Sequence, residues 1–117
     1  MPEYYDRQGN PLTLMQWAKR IEGDPAQAKC VAETTLPNGY WVSTVWLGLD
    51  HAFGDGPPLI FETMVFASET NLSDQDMDRY STEADALAGH QRLCREWALK
   101  PAPSVDVVDP VGEKVTE

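Results

Sequence analysis

The chain has 117 residues, 42% of them hydrophobic and 24% charged, with a net charge of −10 and two cysteines; this is the size of one domain whose single core needs neither disulfides nor a structural metal. Such acidity argues against direct contact with nucleic acid or anionic membranes, which bind through Lys and Arg that neutralise phosphates. No window approaches the roughly 18 apolar residues of a membrane span, and the opening residues MPEYYDRQGN have neither the basic head nor the apolar run of a signal peptide.

The charge is uneven. Residues 1–30 are neutral overall, whereas 31–91 hold ten acids against the single base Arg79, so the middle of the chain is an acidic pole. A basic protein partner, or the basic groove of a nucleic-acid enzyme, suits that field; the plainer reading is that it keeps the protein soluble. Cys30 and Cys94 are far apart and in no paired motif, which fits free thiols in a reducing, cytoplasmic compartment.

In chain order, Tyr4 and Tyr5 form a short leading strand before the turn-forming cluster of Gly9, Asn10 and Pro11. Thr13 and Gln16 make a capping box, with Leu12 and Trp17 at the two positions of a hydrophobic staple, so a helix is expected from Leu14. Its buried stripe is Leu14, Trp17, Ala18 and Ile21, and Gly23 ends it. Asp24-Pro25 bars continuation.

Residues 28–35 and 40–47 form a predicted hairpin around Pro37-Asn38-Gly39. Tyr40, Val42, Thr44 and Trp46 point one way along the second strand, and Trp41, Ser43, Val45 and Leu47 the other. Both faces are bulky, which marks a central strand. Residues 59–66 repeat the alternation as a third antiparallel strand. Because helices are expected on one face only, the opposite face is expected to stay uncovered as an apolar patch, suited to a partner or a homodimer.

The connection 48–58 is long for a hairpin and rich in Gly and Pro, so it is the candidate recognition element, with Asp50, His51, Phe53 and Asp55 in it and Glu62 on the following strand. His51 with Asp50 and Glu62 is the only constellation suggesting acid/base or metal-assisted chemistry. Adjacent residues on an extended backbone point apart, however, and the position of Asp50 suggests turn-capping. Gly54-Asp55-Gly56 lacks the helix that a phosphate-binding loop requires. Farther on, Asp74, Asp76 and Asp78 place oxygens as a calcium loop would. Arg79 stands where that loop needs Gly, and Asp85 where it needs Glu. The alternative is an acidic loop ending in an edge strand over 77–80.

Thr82 is the N-cap of a second helix, 83–99, with Leu87, His90, Leu93, Cys94 and Trp97 as its buried stripe. His90 and Cys94 share a face, but two ligands do not make a metal site. The remainder, 101–117, is predicted to be a disordered tail.

The phrase LDHAFGDGPPLIFETMVF, with RYSTEADALAGHQRLC after it, resembles a family of small hypothetical proteins recurring in phage and prophage genomes. The likeness runs from about Tyr4 to Trp97. It implies phage or prophage origin and expression inside a cell, and carries over no activity and no site residue.

The reading is therefore a single α+β domain over 1–100: three or four antiparallel strands with two helices on one face. The leading function is a non-enzymatic binding protein without cofactor or metal, possessing a protein partner or forming a homodimer and acting as an inhibitor or modulator of a host protein. The alternative is a small enzyme centred on His51.

Overall fold

The computed structural model describes residues 3–52 and 55–103; Phe53 and all of the expected tail from 104 onward lie outside the described residues. Tyr4–Tyr5 (β1) pairs antiparallel with Pro11–Leu12 (β2). Between them Asp6 accepts the amides of Gln8 and Asn10 at 3.0 and 2.8 Å, as a short carboxylate does when it replaces a backbone acceptor in a turn. The leading strand thus has a partner ten residues or fewer away, in the very segment that reads as a turn.

Thr13 opens Leu14–Ile21 (α1). Its hydroxyl accepts the Gln16 amide at 3.1 Å and Gln16 Oε1 accepts the Thr13 amide at 2.9 Å, completing the capping box. Beyond the helix Gly23 adopts φ +91°, a conformation that costs a glycine little. Asp24-Pro25 then does more than bar continuation. Asp24 caps a second short helix, Pro25–Lys29 (α2), by accepting the Gln27 amide, and Pro25 sits where its missing N–H has no partner to lose.

Cys30–Thr35 (β3), Trp41–Trp46 (β4), Phe61–Phe66 (β5) and Asp74–Tyr80 (β6) form one antiparallel sheet in the order β3-β4-β5-β6. Thr82 accepts the Asp85 amide at 3.1 Å and opens Glu83–Ala98 (α3), which lies on one face of that sheet. The fold is α+β. α1 reaches the same side of the sheet through Trp17 and Ile21, which pack on the cluster of Leu12, Trp46, Ile60, Phe61, Tyr80 and Ala86.

Strand alternation sorts the sheet cleanly. Val42, Thr44, Trp46, Phe61, Thr63, Val65 and Tyr80 are buried toward α3, while their neighbours along β4 and β5 are only partly buried. The helical stripes differ from the spacing-based expectation. α3 buries Ala86, Gly89, His90 and Leu93 and leaves Leu87 42% exposed, because the small residues Ala86 and Gly89 face the sheet and allow the helix to approach the Tyr80 ring closely. α1 has no buried residue and leaves Leu14 exposed. It is eight residues long and rests on the β1–β2 ribbon, so only one of its edges meets the core.

The acidic segment is also more ordered than a loop. All of Asp74–Tyr80 is strand, and alternation aims Asp76 and Asp78 toward α3. Asp76 accepts the Trp97 indole N–H at 3.0 Å through Oδ2 and the Met77 amide at 2.9 Å through Oδ1. Asp78 repeats the pattern with Arg92 at 2.7 Å and the Arg79 amide at 2.9 Å. A calcium loop is therefore ruled out here: an extended backbone cannot wrap its alternate carboxylates around one ion, and two of the three already have protein donors.

At the far end, Asn38 in the β3–β4 turn donates to the Trp97 and Lys100 carbonyls at 2.8 and 3.0 Å, satisfying acceptors that a helix C-terminus leaves free. Residues 101–103, assigned from sequence to the tail, belong to this structure. The Tyr40 hydroxyl donates to the Pro101 carbonyl at 2.9 Å.

Candidate functional site

Strand register lays the face opposite α3 out in three rows, each crossing all four strands. Thr35, Trp41, Phe66 and Asp74 make the first, Glu33, Ser43, Met64 and Met77 the second, and Cys30, Val45, Glu62 and Arg79 the third. Trp41 and Phe66 stack with centroids 5.3 Å apart and planes at 29°. Met64 and Met77 lie directly beside them, Met77 at 44% exposure. Among the described residues no helix packs on this side, so an apolar strip of Trp41, Phe66, Met64 and Met77 lies on the sheet's outer face, beside Ser43 and next to the Glu62–Arg79 pair.

Charge frames the strip. Glu33 and Asp74 stand on the two edge strands, both exposed, and Glu69 reaches in from the β5–β6 connection to accept the Thr35 hydroxyl. The base on this face, Arg79, donates to Glu62 at 3.0 Å. Cys30 lies 3.8 Å from Glu33, and burial together with that carboxylate raises its thiol pKa. Both effects favour the neutral thiol over the nucleophilic thiolate. Cys30 and Cys94 are both free.

The loop candidates fare differently. Asp50 Oδ1 accepts the Ala52 and Leu59 amides at 2.8 and 2.9 Å, which closes the connection on itself. The Asp50 and His51 amides are bound in turn by the Glu3 and Leu59 carbonyls. Asp55 is exposed, and Phe53 lies outside the described residues. Glu62 faces outward from the sheet and is occupied by Arg79, so it belongs to the outer face and forms no trio with Asp50 and His51. Among the described residues, no three His, Cys, Asp or Glu side chains are grouped to hold a metal ion. Nor is any helix long and apolar enough to cross a membrane.

Trp41, Met64, Phe66 and Met77 are absent from the loop-centred set of candidates. The signal for them was present in the two-sided bulk of the central strands. No protein-family model, curated protein or solved structure matches the chain.

Proposed function

We propose that this is a small acidic non-enzymatic binding domain that engages another protein through the outer face of its sheet. One observation carries the reading: the stacked Trp41–Phe66 pair, with Met64 and Met77 alongside, occupies a face on which none of the described elements packs. α3 and the β1–β2 ribbon already fill the other face, so the outer apolar strip has no occupant among them, and contiguous patches of this sort mark interaction sites. Aromatic and methionine side chains are also the types enriched at interface centres. The phage or prophage resemblance of the sequence suits a modulator or inhibitor of a host protein acting inside the cell.

The test is capture of interacting proteins by the full chain, compared with Trp41→Ser and Phe66→Ser. Both substitutions lie on the outer face, so melting should remain cooperative while specific capture falls away. A loop variant combining His51→Ala and Asp55→Ala should capture as well as the parent. If the loop variant loses capture and the sheet variants keep it, recognition lies in the 48–58 connection and the proposal fails.

A further inference from the structure

Resting on the outer face as the docking surface, we infer that its occupant is an arginine-bearing basic segment of the partner. The strip is apolar in its centre and acidic at its rim, with Glu33 on one edge strand, Asp74 on the other and Glu69 at the end where Trp41 and Phe66 stack. Among the described residues none of these three carboxylates takes part in an ion pair, whereas Arg79 is already neutralised by Glu62. The face therefore offers the partly exposed, stacked rings of Trp41 and Phe66 next to carboxylates that no described cation engages. A guanidinium meets both needs at once, since its plane stacks on an aromatic face while its edge pairs with a carboxylate.

Two other occupants fit less well. A second copy of this chain would set Glu33, Glu69 and Asp74 against their own like in a protein of net charge −10, and like charges facing each other across an interface are strongly unfavourable. Strand addition at β6 is opposed because Asp76 and Asp78 hold the Met77 and Arg79 amides through their own carboxylates, so those donors are not free for a new strand.

The experiment is an NMR titration of the full chain with a short acetylated peptide of alternating arginine and leucine, and with the same peptide carrying glutamate for arginine. The arginine peptide should shift the Trp41 indole N–H and the Met64 and Met77 methyl signals saturably, and raised salt should weaken it. The glutamate peptide should leave these signals in place. Combining Glu33→Gln, Glu69→Gln and Asp74→Asn should weaken binding on the order of tenfold, the sum expected of a few rim charges. Equal binding of both peptides, or undiminished binding by the neutralised variant, overturns the basic-partner inference while the docking face stands. Concentration-dependent shifts of the same signals without peptide, abolished by Trp41→Ser, make a second copy the occupant and overturn it too. If neither peptide binds, the inference is lost; the capture experiment with Trp41→Ser decides separately on the face.

Discussion

The Trp97 indole donates to Asp76 across the seam between the end of α3 and the edge strand β6, at 3.0 Å. The other oxygen of that carboxylate holds the Met77 amide, so one short side chain both fastens the helix and occupies a strand donor. Trp97 is fixed from further sides, edge-on to Tyr40 at 4.9 Å and beneath the Lys100 ammonium at 4.7 Å. Asp78 and Arg92 repeat the connection one step along the strand, with Arg92 also reaching Glu96 at 3.1 Å.

Removing these carboxylates should have graded effects. Asp76→Ala leaves a partly buried indole N–H without its acceptor and should cost about 1–2 kcal/mol. Asp78→Ala breaks a pair whose side chains are 47% and 44% exposed, so solvent screening limits the loss to about 1 kcal/mol or less. Asp74→Ala should be close to neutral. Urea denaturation of the three variants orders them, and an Asp74→Ala loss as large as that of Asp76→Ala would show that the fastening role is misassigned.

Asp50 should behave as part of the scaffold and Asp55 as surface. The two amides bound by Asp50 Oδ1 close the connection between β4 and β5, and losing both bonds should cost about 1–2 kcal/mol. Asp55→Ala should fall within about 0.5 kcal/mol of the parent, as exposed substitutions do. Thermal melts of the two single variants compare them directly.

Gly89 offers a test of how closely α3 approaches the sheet. Alanine at a helix interior is ordinarily favoured over glycine by about 1 kcal/mol. A Cβ at position 89, however, would run into the ring and hydroxyl of Tyr80, which is 9% exposed and held in the core. Overpacking of this kind costs about 1–3 kcal/mol, so Gly89→Ala should destabilise despite its propensity gain. Gly89→Ala with Tyr80→Phe should recover only part of the loss, because the ring carbons clash as well as the hydroxyl. A melting temperature at or above the parent's for Gly89→Ala would contradict the close approach.

What could be read from the sequence was what is encoded within a few residues. The capping box of Thr13 and Gln16, the 36–39 turn with Gly39 at φ +105° and the Thr82 cap are all local chemistry, and each stands in the structure. α2 is hidden because Asp24-Pro25 reads as a stop after α1, although the same pair is also a favourable helix start. The edge strand over 77–80 is legible in the sequence, but its start at Asp74 is not: DQDMDRY has low strand propensity, and its strand state depends on pairing with β5 and on donors from α3 21 and 14 residues away. The outer apolar strip was legible in the two-sided bulk of β4 and β5. Its acidic rim was not, because Glu33 and Asp74 come to flank Trp41 and Phe66 only through the strand register.

His90 should make folding stability sensitive to mild acid. The ring is 5% exposed and lies between two hydroxyls, with Thr44 Oγ1 2.7 Å from Nδ1 and Thr34 Oγ1 2.9 Å from Nε2; Thr44 in turn meets Thr63 at 2.6 Å. A neutral imidazole offers one donor and one acceptor, and threonine hydroxyls can take either part, so the uncharged ring is fully satisfied there. Among the described residues no carboxylate is hydrogen-bonded to the ring to favour its charged form. Burial accordingly lowers its pKa below the ordinary 6.5. With the folded value depressed, the unfolded chain binds the proton first as the medium is acidified. The stabilising contribution is thus complete above about pH 6.5 and is lost as pH falls through the folded value. Of the titratable groups nearby, burial raises the pKa of both Cys94 and Tyr80, which moves them farther from this window. Asp78, in the same strand row as Thr44 and Thr63, is engaged by Arg92. Melting temperatures over about pH 5.5–7.5 should decline toward acid in the parent and do so less steeply in His90→Gln, whatever the variant's absolute stability. An NMR titration of the His90 ring should give a midpoint below 6.5. A midpoint at or above that value, or equal pH slopes for parent and variant, would show that the ring accepts its proton in the core at no cost to folding.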